Sequence, residues 1–296
     1  PLFLLLAGIG LAFGYNPARG AATGRLARRA LQVVGYGYLV SLIYTLIEGR
    51  LDPKALLRAD ILHCIGLSLL LCTWLLVGRS HLGLRAAALS LAALLAGLAA
   101  GRWLPPLPDW LAVPTALLVD VPGYTRFPLF PLCGFTAVGV AVGAALKRRA
   151  PTVGFCLAGL GLLVALVPLW QELTSATLAL LGGKLTRSHP AVVWNFLEGC
   201  TRALAVLLGS LAVAGLLARQ KACEHPAVTW LVRLGRGSLL AYAVHIPLCY
   251  GRLARPLGHQ LEMPLATLLV AALTAFTYCV ILARDQIKAR QRSQPA

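Results

Sequence analysis

The stretch LFPLCGFTAVGVAVGAALKRR, residues 129–149, joins an apolar run to a cluster of three cations. Residues 129–146 carry no charge, and about 20 helical residues suffice to cross a hydrocarbon layer of about 30 Å. Lys147, Arg148 and Arg149 follow without a break. The stretch therefore predicts a membrane-spanning helix that ends in a basic connection.

Apolar runs of this kind recur along the whole chain of 296 residues. Hydrophobic residues make up 58% of it and charged residues only 12%, whereas soluble domains are about 25% charged. We expect an all-α fold, a polytopic transmembrane helix bundle that forms a single domain over residues 1–296. Nine spans are expected, at residues 1–14, 30–47, 61–78, 86–101, 128–146, 152–170, 192–217, 238–253 and 263–283.

The net charge of +17 is divided unevenly between the two sets of connections. If the spans alternate in direction, one set carries 17 cations and two acids, and the other carries nine cations and seven acids. Because cytoplasmic connections are enriched in Lys and Arg, we expect the first set and the C-terminus on the cytoplasmic side. The bilayer thus explains the positive charge, and we expect no nucleic-acid partner.

Small and sulfur-containing residues predict a tightly packed bundle. Glycines recur at four-residue spacing as the pairs Gly10 and Gly14, Gly97 and Gly101, and Gly139 and Gly143. Such pairs allow two helices to approach closely. The eight cysteines lie mostly within spans and form no Cys-x-x-Cys pair, so we expect small buried hydrophobic residues and no metal site.

Two connections on the outer side are long. Residues 102–127 mix Pro, Trp and Asp, and we expect a short helix there that lies in the membrane interface. Residues 171–191 are expected to form the second long connection.

A first polar cluster lies in the span at residues 192–217. Asn195, Glu198 and Arg202 share one helical face, and Glu198 with Arg202 forms a favourable i,i+4 ion pair. Two interpretations remain open. The pair either neutralises itself and joins neighbouring helices, or it forms one wall of an internal polar cavity.

A second polar cluster lies at the outer end of the third span. Asp60 and His63 are one helical turn apart in RADILHCIGL. A carboxylate beside an imidazole can orient it for acid–base catalysis. The alternative is a helix cap, with Asp60 at the N-cap and His63 in the first turn.

The third cluster is a polar stripe along an otherwise apolar late helix. It consists of Ser238, Tyr242, His245, Cys249 and Arg252 at spacings of four, three, four and three residues. Such a stripe faces protein or water rather than lipid. His245 is interpreted either as a residue that lines a reaction site or as an interhelical hydrogen-bonding residue.

This late helix begins in a basic, glycine-broken turn, GRGS, where we expect Ser238 to be the N-cap. Helix N-termini with nearby Arg attract phosphates. Arg233 and Arg236, together with Lys147, Arg148 and Arg149, are therefore candidates to hold an anionic cytoplasmic ligand such as coenzyme A. Membrane topology alone explains these cations equally well.

Three stretches together resemble the bacterial membrane proteins grouped with the heparan-α-glucosaminide N-acetyltransferase catalytic domain. They are RADILHCIGLSLLL at residues 58–71, RFPLFPLCGFTAVGVAVG at residues 126–143 and LGRGSLLAYAVHIPLCYG at residues 234–251. In the third, Ser238, Tyr242 and His245 align with a Ser, Tyr, His pattern in a late helix of the family. The opening PLFLLLAGIGLAF resembles the second helix of the family, so we expect a helix and the family's proposed active-site His upstream of Pro1.

The resemblance implies a bundle that passes an acetyl group from cytoplasmic acetyl-CoA to an acceptor on the opposite face, in a bacterial inner membrane. The acceptor of the named enzyme is an amino sugar; for this chain we expect an envelope sugar or glycolipid, and oligomerisation is left open. The expected catalytic residues are His245, Tyr242, Asp60 and His63. The expected acceptor-binding residues are Glu198, Arg202, Asn195 and Arg126. The expected donor-binding residues are Arg233, Arg236, Ser238, Lys147, Arg148 and Arg149.

A transporter or flippase for a polar solute is the alternative function. Intramembrane charges and the helix kink expected at Pro247 fit this class equally well. The sequence shows no convincing inverted repeat, which weakens the alternative.

Overall fold

The computed structural model describes residues 1–16, 22–49, 57, 60–104, 107–121, 124–181, 192–220, 224–238, 240–244 and 263–293. Ten helices have defined bounds within these residues. They are α1 (Leu2–Gly14), α2 (Ala22–Glu48), α3 (Ile61–Leu75), α4 (Leu82–Trp103), α5 (Asp109–Leu118), α6 (Leu129–Arg148), α7 (Val153–Leu181), α8 (Val192–Arg219), α9 (Pro226–Arg236) and α10 (Met263–Ser293). The predicted all-α fold class is confirmed.

Six of these helices contain a segment long and apolar enough to cross a membrane. The segments are Thr23–Ile47, Leu82–Ala100, Leu129–Arg148, Val153–Leu181, Val192–Arg219 and Met263–Ile287. Leu2–Gly14 and Ile61–Leu75 are shorter apolar helices. Eight of the nine expected spans therefore coincide with apolar helices, and a multi-pass membrane protein is confirmed. The other expected span, 238–253, lies outside the described residues from residue 245 onward.

The chain divides into two compact units. The first comprises residues 1–39 and 53–216, and the second comprises residues 40–52 and 217–296. Each unit is described by itself below, and the single domain expected over 1–296 stays a prediction.

Helix α6 packs against α1 at backbone distance in the first unit. A Cβ added at Gly139 would overlap with the carbonyl oxygen of Leu5, and one at Gly143 would lie 2.8 Å from Ile9 Cα. This agrees with the close approach predicted for the pair. The prediction is wrong for Gly10, where a Cβ would meet no described atom within 4 Å. Gly8 contacts α6 instead, because it lies on the face of α1 that meets Thr136.

In the first unit, the helix ends meet in two groups, as expected if successive spans run in opposite directions. At one end, Lys147 Nζ donates a hydrogen bond to the carbonyl oxygen of Tyr15 at 2.6 Å, and Gly78 packs against the Tyr15 hydroxyl. At the other end, Cys64 Sγ lies 3.5 Å from the carbonyl oxygen of Pro128. We call these the basic end and the opposite end.

Two expectations about the long connections have different outcomes. The connection at 102–127 does contain a short helix, α5, and Trp110 on it is exposed. The expected connection at 171–191 is wrong over residues 171–181, because α7 continues to Leu181 despite Pro168. A hydrogen bond of 2.9 Å from Trp194 Nε1 to Thr177 Oγ1 joins this extension to α8.

Five of the six cysteines in the described part of the chain are buried, and none of these six forms a disulfide. The buried ones are Cys64, Cys72, Cys133, Cys156 and Cys200, while Cys279 is exposed. For these five, the prediction of small buried residues is confirmed.

Candidate functional site

The basic end of the first unit contains two adjoining hollows of about 500 Å³ and about 220 Å³. Together we call them the basic groove. Its polar lining consists of Tyr15, Arg79, His81, Lys147 and Arg148, and its apolar lining includes Leu82, Ala141 and Ala144. Leu82, Ala144 and Arg148 line both hollows.

The turn between α3 and α4 shapes one wall of the basic groove. Gly78 and His81 both have left-handed backbone conformations, with φ of 73° and 51°. The Gly78 conformation costs a glycine little, and the same residue leaves room for the Tyr15 hydroxyl. This tight turn brings Arg79 beside Lys147 and Arg148 at the end of α6.

The basic groove favours an anion that also carries a less polar part. No Asp or Glu is present among its lining residues within the described chain, so the cations are not neutralised there. Phosphates bind well to converging Lys and Arg side chains. The small Ala residues and Leu82 leave room for an uncharged arm of the same ligand.

The structure brings together two of the six residues predicted to bind the donor. Lys147 and Arg148 line the basic groove together, whereas Arg149 follows α6 as an exposed cap and does not line it. Arg79 was missed as a groove residue, although the sequence places it in the same set of basic connections. Arg233, Arg236 and Ser238 belong to the second unit.

A second polar feature joins α7 to α8 toward the opposite end. We call it the polar ladder, and its members are Trp170, Gln171 and Thr177 of α7 and Trp194, Glu198 and Thr201 of α8. Trp170 Nε1 donates to Thr201 Oγ1 at 3.0 Å, and Gln171 Nε2 donates to Glu198 Oε1 at 3.0 Å. The Trp170 and Trp194 rings are stacked with centroids 6.3 Å apart.

Glu198 is the acidic centre of the polar ladder. Its Oε1 atom also forms an ion pair with Arg202 Nη2, at a distance of 2.5 Å. The Glu198 side chain is 9% exposed and the Arg202 side chain 58% exposed. The pair therefore joins α8 to α7 through Gln171, as the first interpretation expects. The Arg202 guanidinium faces outward, and the internal polar cavity of the second interpretation stays a prediction.

The length of α7 predicts that the polar ladder lies near one edge of the hydrocarbon layer. Helix α7 has 29 residues, which gives a length of roughly 43 Å against a layer of about 30 Å. Counted from Val153 next to the basic connection, about 20 residues reach Gln171 and Glu172. We therefore expect Gln171 and Glu198 near the membrane boundary, where a carboxylate is less costly than at the centre of the layer.

Asp60 and His63 adopt the capping arrangement. Asp60 is the N-cap of α3, and its backbone N–H donates to His63 Nδ1 at 3.2 Å. The His63 ring is fully buried against Gly37 and the Tyr38 ring, and its Nε2 atom has no hydrogen-bond partner among the described residues. Since no His63 nitrogen is open to a ligand, we assign it no proton-transfer step.

The remaining predicted site residues are dispersed. Arg126 is exposed between α5 and α6, and Asn195 is exposed on α8. Tyr242 lies in a helical segment at residues 240–244 of the second unit. His245, Cys249 and Arg252 lie outside the described residues, as does Pro247.

Ser238 is not the N-cap that the sequence predicts. Helix α9 runs directly up to Gly237, whose carbonyl oxygen accepts the first hydrogen bond of the next helical segment, from Ala241 N–H at 2.8 Å. Gly237 therefore occupies the cap position. The expected basic turn is largely helix, and the missed signal was His225 before Pro226, an N-cap followed by Pro at the first helical position.

The described part of the chain holds no group of three or more His, Cys, Asp or Glu residues that could bind a metal ion.

Comparison with known proteins places these observations in a family. The family model described as "Heparan-alpha-glucosaminide N-acetyltransferase, catalytic" matches residues 1–169, which is more than half of the chain. The match covers the whole basic groove and the first two of the three stretches quoted above, while the stretch at 234–251 lies beyond it. No curated protein and no protein of solved structure shows significant similarity to the chain.

Proposed function

This chain belongs to the heparan-alpha-glucosaminide N-acetyltransferase catalytic family, and from that premise we propose that it transfers an acetyl group from acetyl-CoA to a sugar or glycolipid acceptor. Family membership and the membrane helices make it an acetyltransferase-like membrane protein. The donor, the acceptor and the site residues are the proposed part.

The basic groove is the observation that carries the proposed donor. Coenzyme A has phosphates at one end and a long uncharged arm that ends in the thioester. Arg79, Lys147 and Arg148 supply cations without a neighbouring acid in the described lining, and Ala144 with Leu82 supplies an apolar floor. This combination of charge and apolar surface matches both parts of the donor. Arg149, Arg233, Arg236 and Ser238 do not line this groove, and their donor-binding role stays a prediction.

The proposed orientation places the basic groove in the cytoplasm of a bacterial cell, with the protein in the inner membrane. The support is the unequal distribution of Lys and Arg between the two ends. Acetyl-CoA is a cytoplasmic metabolite, so this orientation presents the groove to the donor. The C-terminus is on the same side in this proposal.

The polar ladder is the proposed wall of the acceptor site. Arg202 and Asn195 are exposed on α8 next to Glu198, and charged and amide groups of this kind bind sugar hydroxyls and amines. Arg126 is proposed at the outer mouth. Transfer breaks the thioester C–S bond and forms a C–N or C–O bond on the acceptor, while the thiol of coenzyme A leaves. His245 and Tyr242 are the proposed groups near the reacting atoms.

Transfer of labelled acetyl groups tests this function. The full chain is reconstituted in proteoliposomes with acetyl-CoA on the side of the basic groove and amino sugars or glycolipids on the other. We expect labelled acceptor and free coenzyme A in equal amounts. Movement of an acceptor across the membrane without consumption of acetyl-CoA would instead identify the transporter alternative.

A further inference from the structure

Helix α9 of the second unit has two chemically different faces. Thr229, Arg233 and Arg236 lie at spacings of four and three residues, so they share one face. Ala227, Leu231 and Leu234 have the same spacings and lie on the other face. The helix contains no acidic residue. A short helix with this division is typical of elements that lie in a membrane interface.

The apolar face of α9 is largely uncovered. No residue of the helix is buried, and Leu231 on this face is 61% exposed. Exposed branched side chains on so short a helix are unfavourable in water. An apolar phase beside the helix removes this cost, and the next helix of the unit is itself a candidate membrane span.

Contacts with α10 fix the position of α9. The Trp230 and Tyr278 rings have centroids 5.8 Å apart, and Arg233 Nη1 lies 3.4 Å from the Tyr278 hydroxyl oxygen. Where α9 ends, a Cβ added at Gly237 would lie 2.7 Å from Ile281 Cγ1. Helix α9 is therefore held against Tyr278 and Ile281 of the span.

These contacts, together with the position of the first charge on α10, predict the depth of α9 in the membrane. Arg284 is the first charged residue of α10 after Met263, so the apolar layer ends near it. At 1.5 Å per residue, Tyr278 and Ile281 lie roughly 9 Å and 5 Å before Arg284. Interfacial helices bury their apolar faces about 5 to 10 Å into the boundary of the acyl chains. The depth of the α10 residues that contact α9 therefore agrees with the depth typical of interfacial helices.

The cations of α9 are available to a ligand at this depth. Among the described side chains of the second unit, Arg233 contacts the neutral hydroxyl of Tyr278, and Arg236 is exposed. By contrast, Arg284 is paired with Asp285 at 2.7 Å. Two cations above an apolar face complement a phosphate that is joined to acyl chains.

We propose that α9 lies in the membrane interface and binds the headgroups of anionic phospholipids through Arg233 and Arg236. This assignment is independent of acyl transfer and gives these two residues a role other than the donor binding predicted from the sequence. The apolar face favours a lipid over a free phosphate compound, because Leu231 and Ala227, which are both exposed, then contact acyl chains.

Hydrogen exchange of the full chain in lipid nanodiscs tests this proposal. Amides of residues 226–236 are compared in phosphatidylcholine alone and in phosphatidylcholine with phosphatidylglycerol. Because each cation near an anionic surface adds to the attraction, we expect exchange to be about tenfold slower or more with phosphatidylglycerol. Equal exchange in the two lipids would overturn the proposal.

Three controls make the result specific. The double variant Arg233→Gln/Arg236→Gln is expected to remove the difference between the lipids, whereas Arg85→Gln, on α4 in the first unit, is expected to retain it. Leu231→Glu is expected to speed exchange in both lipids because it disrupts the apolar face. Slowing by acetyl-CoA in phosphatidylcholine alone, with no effect of phosphatidylglycerol, would assign the cations to the donor and contradict the proposal.

Discussion

At the scale of single residues, Glu198 shows how a carboxylate is held near the edge of a membrane. Its Oε1 atom accepts from Gln171 at 3.0 Å and pairs with Arg202, so two neighbours offset the cost of burial. Because the Arg202 side chain is 58% exposed and that of Glu198 is 9% exposed, only one partner of the ion pair is buried.

Replacement of Glu198 is expected to change both the free energy of unfolding and the KM for the acceptor, which are measured separately. Glu198→Gln keeps a partner for Gln171 but loses the ion pair, and we expect a loss of about 1 kcal/mol in the free energy of unfolding. The KM for the acceptor is expected to rise several-fold while the KM for acetyl-CoA is unchanged. Asp285→Asn, which removes the ion pair to Arg284 in the second unit, is the matched control. A changed KM for acetyl-CoA in Glu198→Gln would contradict this placement.

Asp60 and His63 offer a second test, of capping against acid–base chemistry. Asn caps helices about as well as Asp, so Asp60→Asn is expected to retain activity and thermal stability. His63→Ala removes a fully buried ring and the acceptor of the Asp60 N–H, and a loss of about 2 kcal/mol or more in stability is expected. A well-folded Asp60→Asn protein without activity would favour the acid–base interpretation.

The sequence identified both of these pairs but could not choose between their interpretations. Spacing places Asp60 and His63 on adjacent turns in either case. The choice depends on Gly37 and Tyr38 of α2, which bury the imidazole and are more than 20 residues away in the chain. Gln171 was missed for the same reason, since it meets Glu198 only when α7 and α8 pack together.

At the scale of helices, contact between α1 and α6 depends on glycine. The space at Gly139 is filled by the backbone of Leu5, and backbone cannot give way as a flexible side chain can. We expect Gly139→Ala to force α1 and α6 apart and to lower stability by about 1–3 kcal/mol. Thermal unfolding in detergent measures the effect.

Gly161→Ala is the matched control for this contact. It lies in α7, another apolar helix, and a Cβ there would meet no described atom within 4 Å. Ala also has the higher helix propensity, so stability is expected to be unchanged or slightly higher. Equal losses in Gly139→Ala and Gly161→Ala would show that the α1 contact is not the cause.

Helix positions followed from the sequence because apolar runs in a bilayer leave the backbone few alternatives. Helix α2 nevertheless begins at Ala22, eight residues before the expected span, since Arg25, Arg28 and Arg29 are tolerated on an emerging helix. The face of a helix that meets a neighbour was harder to predict. Gly8 and Gly10 are both small, and only tertiary packing selects Gly8.

At the scale of the whole molecule, successive spans cross the membrane in opposite directions, and this determines which connections lie on the same side of the membrane. Tyr15, Gly78 and Lys147 meet at one end of the first unit, as the charge distribution predicts. The division into two compact units was not predicted, because apolar composition is similar throughout the chain and carries no boundary signal.

Labelling of introduced cysteines tests the proposed orientation. Arg85→Cys and Arg149→Cys are expected to react with a membrane-impermeant maleimide only in inverted vesicles, because both belong to the basic connections. Arg126→Cys is expected to react only in right-side-out vesicles. The same sidedness for all three positions would contradict the alternation.

Binding of acetyl-CoA at the basic groove is the central claim, and calorimetry with the full chain tests it most directly. Arg79→Gln/Arg148→Gln removes two lining cations, whereas Arg85→Gln removes one nearby cation that does not line the groove. We predict that the double variant weakens acetyl-CoA binding about tenfold, at about 0.5–1 kcal/mol for each charge, and that Arg85→Gln leaves it unchanged. Unchanged binding in the double variant, or an equal loss in Arg85→Gln, would contradict the proposed donor site.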